Sequence, residues 1–79
     1  MSRKPKDSPR SVLARNVRKL RLMREMSQQE LARAADTRQA LISAIEAGDA
    51  NPTFDSIARL ADALQVDLAE LFNARAKHE

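Results

Sequence analysis

A series of helix-start signals divides this chain into short segments and constrains its fold more than any other feature. Ser8-Pro9 places a capping serine before a proline at a first helical position, and Ser27-Gln-Gln-Glu30 is a capping box. Thr53 and the run Asp67-Leu-Ala-Glu70 carry two further start signals. Gly48, the only glycine, suits the left-handed residue that ends a helix. We therefore expect five helices: 9 to about 25, one from the capping box, one ending at 47, 54–64, and a short one through about 72.

The composition favours helices over strands. Fourteen of the apolar residues are alanine, whereas valine and isoleucine number three each and tyrosine and tryptophan do not occur. A chain of 79 residues suffices for one small domain. We predict an all-α domain at 9–73, between a disordered basic tail at 1–8 and a frayed tail at 74–79.

Several function classes are excluded by residue types that the chain lacks. It has no cysteine, and its one histidine, His78, lies in the terminal tail, so we expect no metal site, no cofactor and no enzymatic activity. No signal peptide or membrane-length apolar run is present, which favours a cytoplasmic protein without a membrane partner. No small-molecule ligand is evident either.

Positive charge is concentrated in the first half of the chain. Residues 1–38 contain eleven Lys and Arg against four Asp and Glu, whereas residues 39–79 contain three against seven. This asymmetry favours a polyanion that docks on the N-terminal half. The alternative is that helix 1 merely exposes a solvated basic face.

The stretch from Glu30 to Glu46 has the pattern of two short helices joined by a tight turn at Ala35-Asp36-Thr37. With Ile42 pointing inward, the opposite face of the second helix carries small residues: Ala40, Ser43, Ala44 and Ala47. Such a face is typical of a helix that closely approaches another surface, as a helix-turn-helix does in the DNA major groove. The alternative is that these alanines only favour helix formation.

Several sequence blocks carry a family resemblance. Over about residues 11–72 the chain resembles the Cro/CI-type (XRE) helix-turn-helix family, through Ser27–Ala32, Ile42–Gly48, Pro52-Thr53, Leu60–Val66 and Leu71-Phe72. The resemblance implies a compact five-helix, lambda-repressor-like DNA-binding domain with the helix-turn-helix at helices 2–3. It also implies a transcriptional regulator that binds a near-palindromic double-stranded DNA operator as a homodimer. The length is similar to that of restriction–modification controller proteins.

The turn departs from the pattern of this family. Asp36 stands where the family usually has glycine, and Thr37 stands where an aliphatic residue is usual. Aspartate tolerates a left-handed backbone at a cost of ~1 kcal/mol relative to glycine. Arg38 replaces the usual Ser or Thr cap, so helix 3 begins at either Thr37 or Arg38.

Base reading is assigned to the outward side of helix 3. Arg38 and Gln39, at its N-terminal end, have side chains that can bind the edges of guanine and adenine in bidentate fashion. Ala40 or Ala44 can contact a thymine methyl group. The predicted base-reading residues are Arg38, Gln39, Ala40, Ser43 and Ala44.

Phosphate contacts are predicted around this helix. Gln28 lies in the first turn of helix 2, where a polar side chain can hold a phosphate. The resemblance adds Asn51 and Thr53, from the loop after helix 3 and the start of helix 4. Basic side chains of helix 1, Arg10 or Arg15, add nonspecific attraction. The basic tail either reaches a minor groove as an arm or is a disordered solubilising segment.

Arg21 and Glu46 have a structural role by resemblance. Arg21 lies on the flank of the apolar stripe of helix 1, and Glu46 lies on the inward side of helix 3. Their positions match an Arg and a Glu that pair in the family. The resemblance thus implies an ion pair that ties helix 1 to the recognition helix.

The C-terminal segment has more apolar side chains than one helix face and a short helix can bury. Some of them are expected to meet a second copy, and the predicted dimer interface is Leu64, Val66, Leu68, Leu71 and Phe72. The alternative is that all of them complete the monomer core, in which both phenylalanines occupy core-like positions. A different function also remains open: an antitoxin-type or adaptor module that binds a protein partner through helices 4–5.

Overall fold

A computed structural model describes residues 8–75, which form four α-helices and one 3₁₀ helix. The helices are α1 (Pro9–Met23), α2 (Gln28–Ala34), α3 (Gln39–Glu46), α4 (Phe54–Leu64) and the 3₁₀ helix (Leu68–Phe72). No strand occurs within the described range, which confirms the all-α class. The predicted count of five helices is not confirmed, because the short element expected through about residue 72 is a five-residue 3₁₀ helix.

The tails predicted from the sequence lie largely outside the described residues. Residues 1–7 and 76–79, including His78, are not described. Ser8, the last residue of the predicted N-terminal tail, caps α1 as the Ser8-Pro9 signal predicts. Every helix among residues 8–75 is too short or too polar to span a lipid bilayer.

At three of the four predicted helix starts, the expected side chain makes a capping hydrogen bond. The Oγ of Ser8 accepts a hydrogen bond from the Ser11 N–H at 3.2 Å, and Thr53 Oγ1 accepts one from the Ser56 N–H at 3.0 Å. The capping box is complete, since Ser27 Oγ accepts from the Glu30 N–H at 2.9 Å while the Ser27 N–H donates to Glu30 Oε1 at 2.7 Å. The cap predicted at Asp67 was wrong. Its side chain makes no capping bond, because the tighter 3₁₀ turn is closed by the backbone.

Left-handed residues follow the ends of all four α-helices. Gly48 has φ 78° and Asp36 has φ 55°, as expected from the sequence, and Glu25 and Gln65 adopt the same conformation with φ 56° and 60°. In each case the next residue donates its N–H to a carbonyl five positions back, at 2.8–3.1 Å. This bond is the signature of the Schellman motif and ends each helix sharply.

The core lies between the four α-helices and the 3₁₀ helix. Its largest fully buried side chains are Val17, Leu31, Ile42, Ile45, Leu60, Leu64 and Leu71. The 3₁₀ helix packs against α1 and α4 and covers the core beside them. Leu64 and Leu71, which were predicted at a dimer interface, have no exposed area and complete the core of the monomer.

Neither phenylalanine is buried, although both were expected at core-like positions. Phe54 is the first residue of α4 and lies beyond the edge of the core, with 71% of its surface exposed. Phe72 is 37% exposed, whereas Val66 and Leu68 are half-buried against the core. Among the described residues, the large apolar side chains that stay exposed are Leu22, Met23, Phe54 and Phe72, of which only Phe72 belongs to the predicted dimer interface.

Candidate nucleic-acid interface

The turn between α2 and α3 has the compact geometry of a helix-turn-helix. Asp36 carries the left-handed backbone, and the Thr37 N–H donates to the Ala32 carbonyl at 2.8 Å. Arg38 is the N-cap of α3, with an extended backbone and no capping hydrogen bond from its side chain. This geometry resolves the start of the helix: Arg38 precedes it, and Thr37 does not cap it.

The outward face of α3 contains most of the predicted base-reading residues. Arg38, Gln39, Ala40 and Ser43 are exposed, and they lie opposite the buried Ile42 and Ile45. Ala44 is different, because it is half-buried and packs against the core. The N-terminal half of α3 thus offers two long polar side chains beside a smooth surface of small ones.

An ion pair joins this helix to α1. Arg21 Nε donates to Glu46 Oε2 at 2.7 Å, and Arg21 Nη2 donates to Glu46 Oε1 at 3.0 Å. The two side chains are only 10% and 4% exposed. Hydrogen bonding to the Glu46 carboxylate raises the pKa of Arg21 above its ordinary value, so the guanidinium stays charged. This bidentate pair fixes the C-terminal end of α3 against α1.

The ion pair extends to the start of α2 and to the loop before it. Gln28 Nε2 donates to Glu46 Oε1 at 3.2 Å, and Arg21 Nη1 donates to the Met26 carbonyl at 2.8 Å. Gln28, a predicted phosphate contact, is therefore held beside α3. An amide nitrogen has two hydrogens, so one N–H of Gln28 can still donate elsewhere.

The other predicted phosphate contacts are divided between two regions. Asn51 is exposed in the loop after α3, and Thr53 follows it as the cap of α4. Arg10 Nε donates to the Ala50 carbonyl at 3.0 Å and holds the same loop. Arg15 is not brought together with them, because its Nη2 donates to the Ala74 carbonyl at 3.2 Å in the C-terminal segment.

Two structural side chains were not anticipated from the sequence. Asn16 Nδ2 donates to the carbonyls of Leu71 at 2.9 Å and Asn73 at 3.1 Å, which ties the 3₁₀ helix to α1. Its position one turn from Leu13, on the apolar stripe of α1, was the signal that could have revealed it. Arg59 Nε donates to the Ala35 carbonyl at 3.1 Å, and no local sequence signal marks that contact.

A helical domain with this turn between α2 and α3 is a helix-turn-helix protein. The profile of the HTH_3 helix-turn-helix family matches residues 17–71. The chain therefore belongs to this XRE-type family of DNA-binding regulators, which confirms the resemblance found in the sequence.

Two solved structures are similar to this chain. A hypothetical transcription factor, NHTF from Neisseria, is 32% identical with a TM-score of 0.82, over 92% of this chain and 84% of the other. The restriction–modification controller protein C.AhdI from Aeromonas hydrophila is 26% identical with a TM-score of 0.78, over 87% of this chain and 100% of the other. No protein among those with curated descriptions matches the chain.

Proposed function

We propose that this protein is a sequence-specific regulator of transcription that inserts α3 into the DNA major groove. The observation that carries the proposal is the exposed N-terminal end of α3, where Arg38 and Gln39 stand beside Ala40 and Ser43 on a helix anchored by a buried ion pair. Small side chains permit close approach to base edges, and the two long ones have the hydrogen-bonding groups to read them. The similarity to a transcription factor and to a restriction–modification controller supports the same conclusion.

The proposed roles follow from the positions of these side chains. Arg38 binds a guanine through O6 and N7, and Gln39 binds an adenine through N6 and N7. Ala40 and Ser43 lie against the groove floor. Ala44 contributes less than the sequence suggested because it is half-buried.

Phosphate contacts on both sides of α3 orient it on the duplex. Gln28 is held by Glu46 and donates its second N–H to one phosphate. Asn51 and Thr53, in the loop after α3 and at the cap of α4, contact another. Arg15 is not part of this proposal, since it binds the C-terminal segment instead.

In a homodimer, each copy would place its α3 in one half-site of a near-palindromic operator. The exposed Phe54 lies one turn before Ile57, which lines a shallow groove of about 160 Å³ together with Leu13, Pro52 and Phe72. A second copy that covers this surface would present two recognition helices about 34 Å apart. The same exposed phenylalanine supports the second candidate function, an antitoxin-type or adaptor module that binds an unrelated protein.

Selection of bound sequences from random double-stranded DNA tests the proposal. We expect one enriched motif with two half-sites related by a two-fold axis and separated by one helical turn. Binding should weaken steeply with salt, because each neutralised phosphate releases counterions. Recovery of no enriched motif at either of two salt concentrations would reject base reading. A single half-site without two-fold symmetry would reject the homodimer but leave base reading by α3 in place.

A further inference from the structure

Arginine side chains support every non-glycine left-handed residue among those that the structure describes. These residues are Glu25, Asp36 and Gln65, in a conformation that L-amino acids adopt only at an energetic cost. Beside each of them, an arginine donates to a neighbouring backbone carbonyl: Arg21 to Met26 at 2.8 Å, Arg59 to Ala35 at 3.1 Å and Arg24 to Leu64 at 2.8 Å. The recurrence indicates that these bonds stabilise helix ends whose left-handed residues carry a conformational cost.

The turn before the recognition helix combines a left-handed residue with a helix start that lacks a side-chain cap. Asp36 stands at its left-handed position, and the N-cap residue Arg38 makes no capping bond with its side chain. Within the turn, the Asp36 and Thr37 N–H groups donate to carbonyls of α2 at 3.2 and 2.8 Å. The bond from Arg59 adds a tertiary contact, because Arg59 belongs to α4 and lies 24 residues further along the chain.

Arg59 also contacts the N-terminal turn of its own helix, α4. Its Nη2 lies 3.5 Å from Ser56 Oγ, at the outer limit of a hydrogen bond. Ser56 is buried, and its Oγ accepts a hydrogen bond from the Thr53 hydroxyl at 3.0 Å. The guanidinium thus joins the turn that precedes α3 to the cap of the helix that follows it.

We propose that Arg59 is a positioning residue for base recognition, which it serves by fixing the N-terminal end of α3 through the Ala35 carbonyl. The inference rests on the proposed function. Base contacts demand a precise approach of Arg38 and Gln39, whereas phosphate contacts carry no sequence information and tolerate small shifts. Loss of Arg59 therefore lowers affinity for the operator more than affinity for unrelated DNA.

The test compares the ratio of operator affinity to random-DNA affinity in matched variants, well below their melting temperatures. Arg59→Met is expected to lower the ratio about tenfold while random-DNA affinity changes less than about threefold. Arg24→Met is the control, since Arg24 Nε makes the same kind of bond at the end of α4, outside the helix-turn-helix. Its ratio should stay within about twofold of the wild type.

A second substitution keeps the test decisive if Arg59→Met folds poorly. Asp36→Gly removes the strain at the turn, so the double variant Asp36→Gly with Arg59→Met should recover most of the lost ratio. Amide hydrogen exchange reports on the turn without DNA, and the Thr37 N–H should exchange about tenfold faster in Arg59→Met than in Arg24→Met.

Each remaining outcome overturns the inference. Equal weakening on operator and random DNA, with a salt slope reduced by about one, makes Arg59 a phosphate contact. If Arg59→Met changes neither the ratio of operator affinity to random-DNA affinity nor the exchange rate of the Thr37 N–H, Arg59 has no role at the turn. If wild-type protein shows no preference for any DNA, the proposed function itself fails. A preference that survives in Arg59→Met rejects only the positioning role.

Discussion

The buried ion pair between Arg21 and Glu46 permits a quantitative prediction for Glu46→Gln. The guanidinium makes two bonds to the carboxylate and one to the Met26 carbonyl. A glutamine amide retains one acceptor oxygen and turns an NH₂ group toward the guanidinium. The substitution therefore removes one charge-assisted bond and leaves a buried cation without its counter-charge.

The expected loss of unfolding free energy in Glu46→Gln follows from these contacts. Breaking a buried ion pair by removing one partner costs about 3–5 kcal/mol. Because the bond to Met26 and one bond to the glutamine oxygen remain, the loss should fall near the lower end, ~3 kcal/mol. In a domain of this size, that loss lowers the melting temperature by about 12–24 °C.

Urea unfolding followed by circular dichroism measures the change in unfolding free energy. The matched control is Asp62→Asn, which makes the same chemical change at an exposed position and should alter stability by less than ~0.5 kcal/mol. A loss below ~1 kcal/mol in Glu46→Gln, relative to this control, would show that the pair does not anchor α3.

Three further predictions follow from the same structure. Because the pKa of Arg21 is raised above its ordinary value, the contribution of the ion pair to stability is lost only as pH rises through that raised pKa. The difference in unfolding free energy between wild type and Glu46→Gln should therefore not narrow between about pH 7 and 9 in urea titrations. Ser27→Ala removes half of the capping box and should lower the unfolding free energy by ~1 kcal/mol; an unchanged urea midpoint would contradict it. Phe54→Ser should leave monomer stability within about 0.5 kcal/mol, because the side chain is 71% exposed. The same variant should weaken self-association in sedimentation equilibrium, and an unaltered mass distribution would remove Phe54 from the interface.

Local chemistry explains which parts of the fold could be predicted. The capping box at Ser27 depends on residues three positions apart, and the ends of helices at Asp36 and Gly48 depend on one backbone conformation. Such features are encoded within a few residues of sequence. The inward position of Ile42 likewise follows from helical periodicity.

Tertiary packing explains which parts of the fold could not be predicted from the sequence. Periodicity marks Leu64 and Leu71 as apolar but does not tell whether the chain folds back to bury them, as the 3₁₀ helix does. It likewise cannot show that Phe54 lies beyond the edge of the core. The bond from Arg59 to Ala35 joins residues on different helices, so only the packed structure reveals it.

The central claim is that Arg38 and Gln39 read bases, and sequence selection with Arg38→Ala and Gln39→Ala measures it most directly. Each variant should lose preference at one position of each half-site, at a cost of about 1–3 kcal/mol, and keep the preference elsewhere. A phosphate contact would instead weaken binding to all sequences alike. The selected motif should therefore broaden at separate positions in the two variants. An unchanged motif in both would contradict the assignment of α3 as the helix that reads DNA.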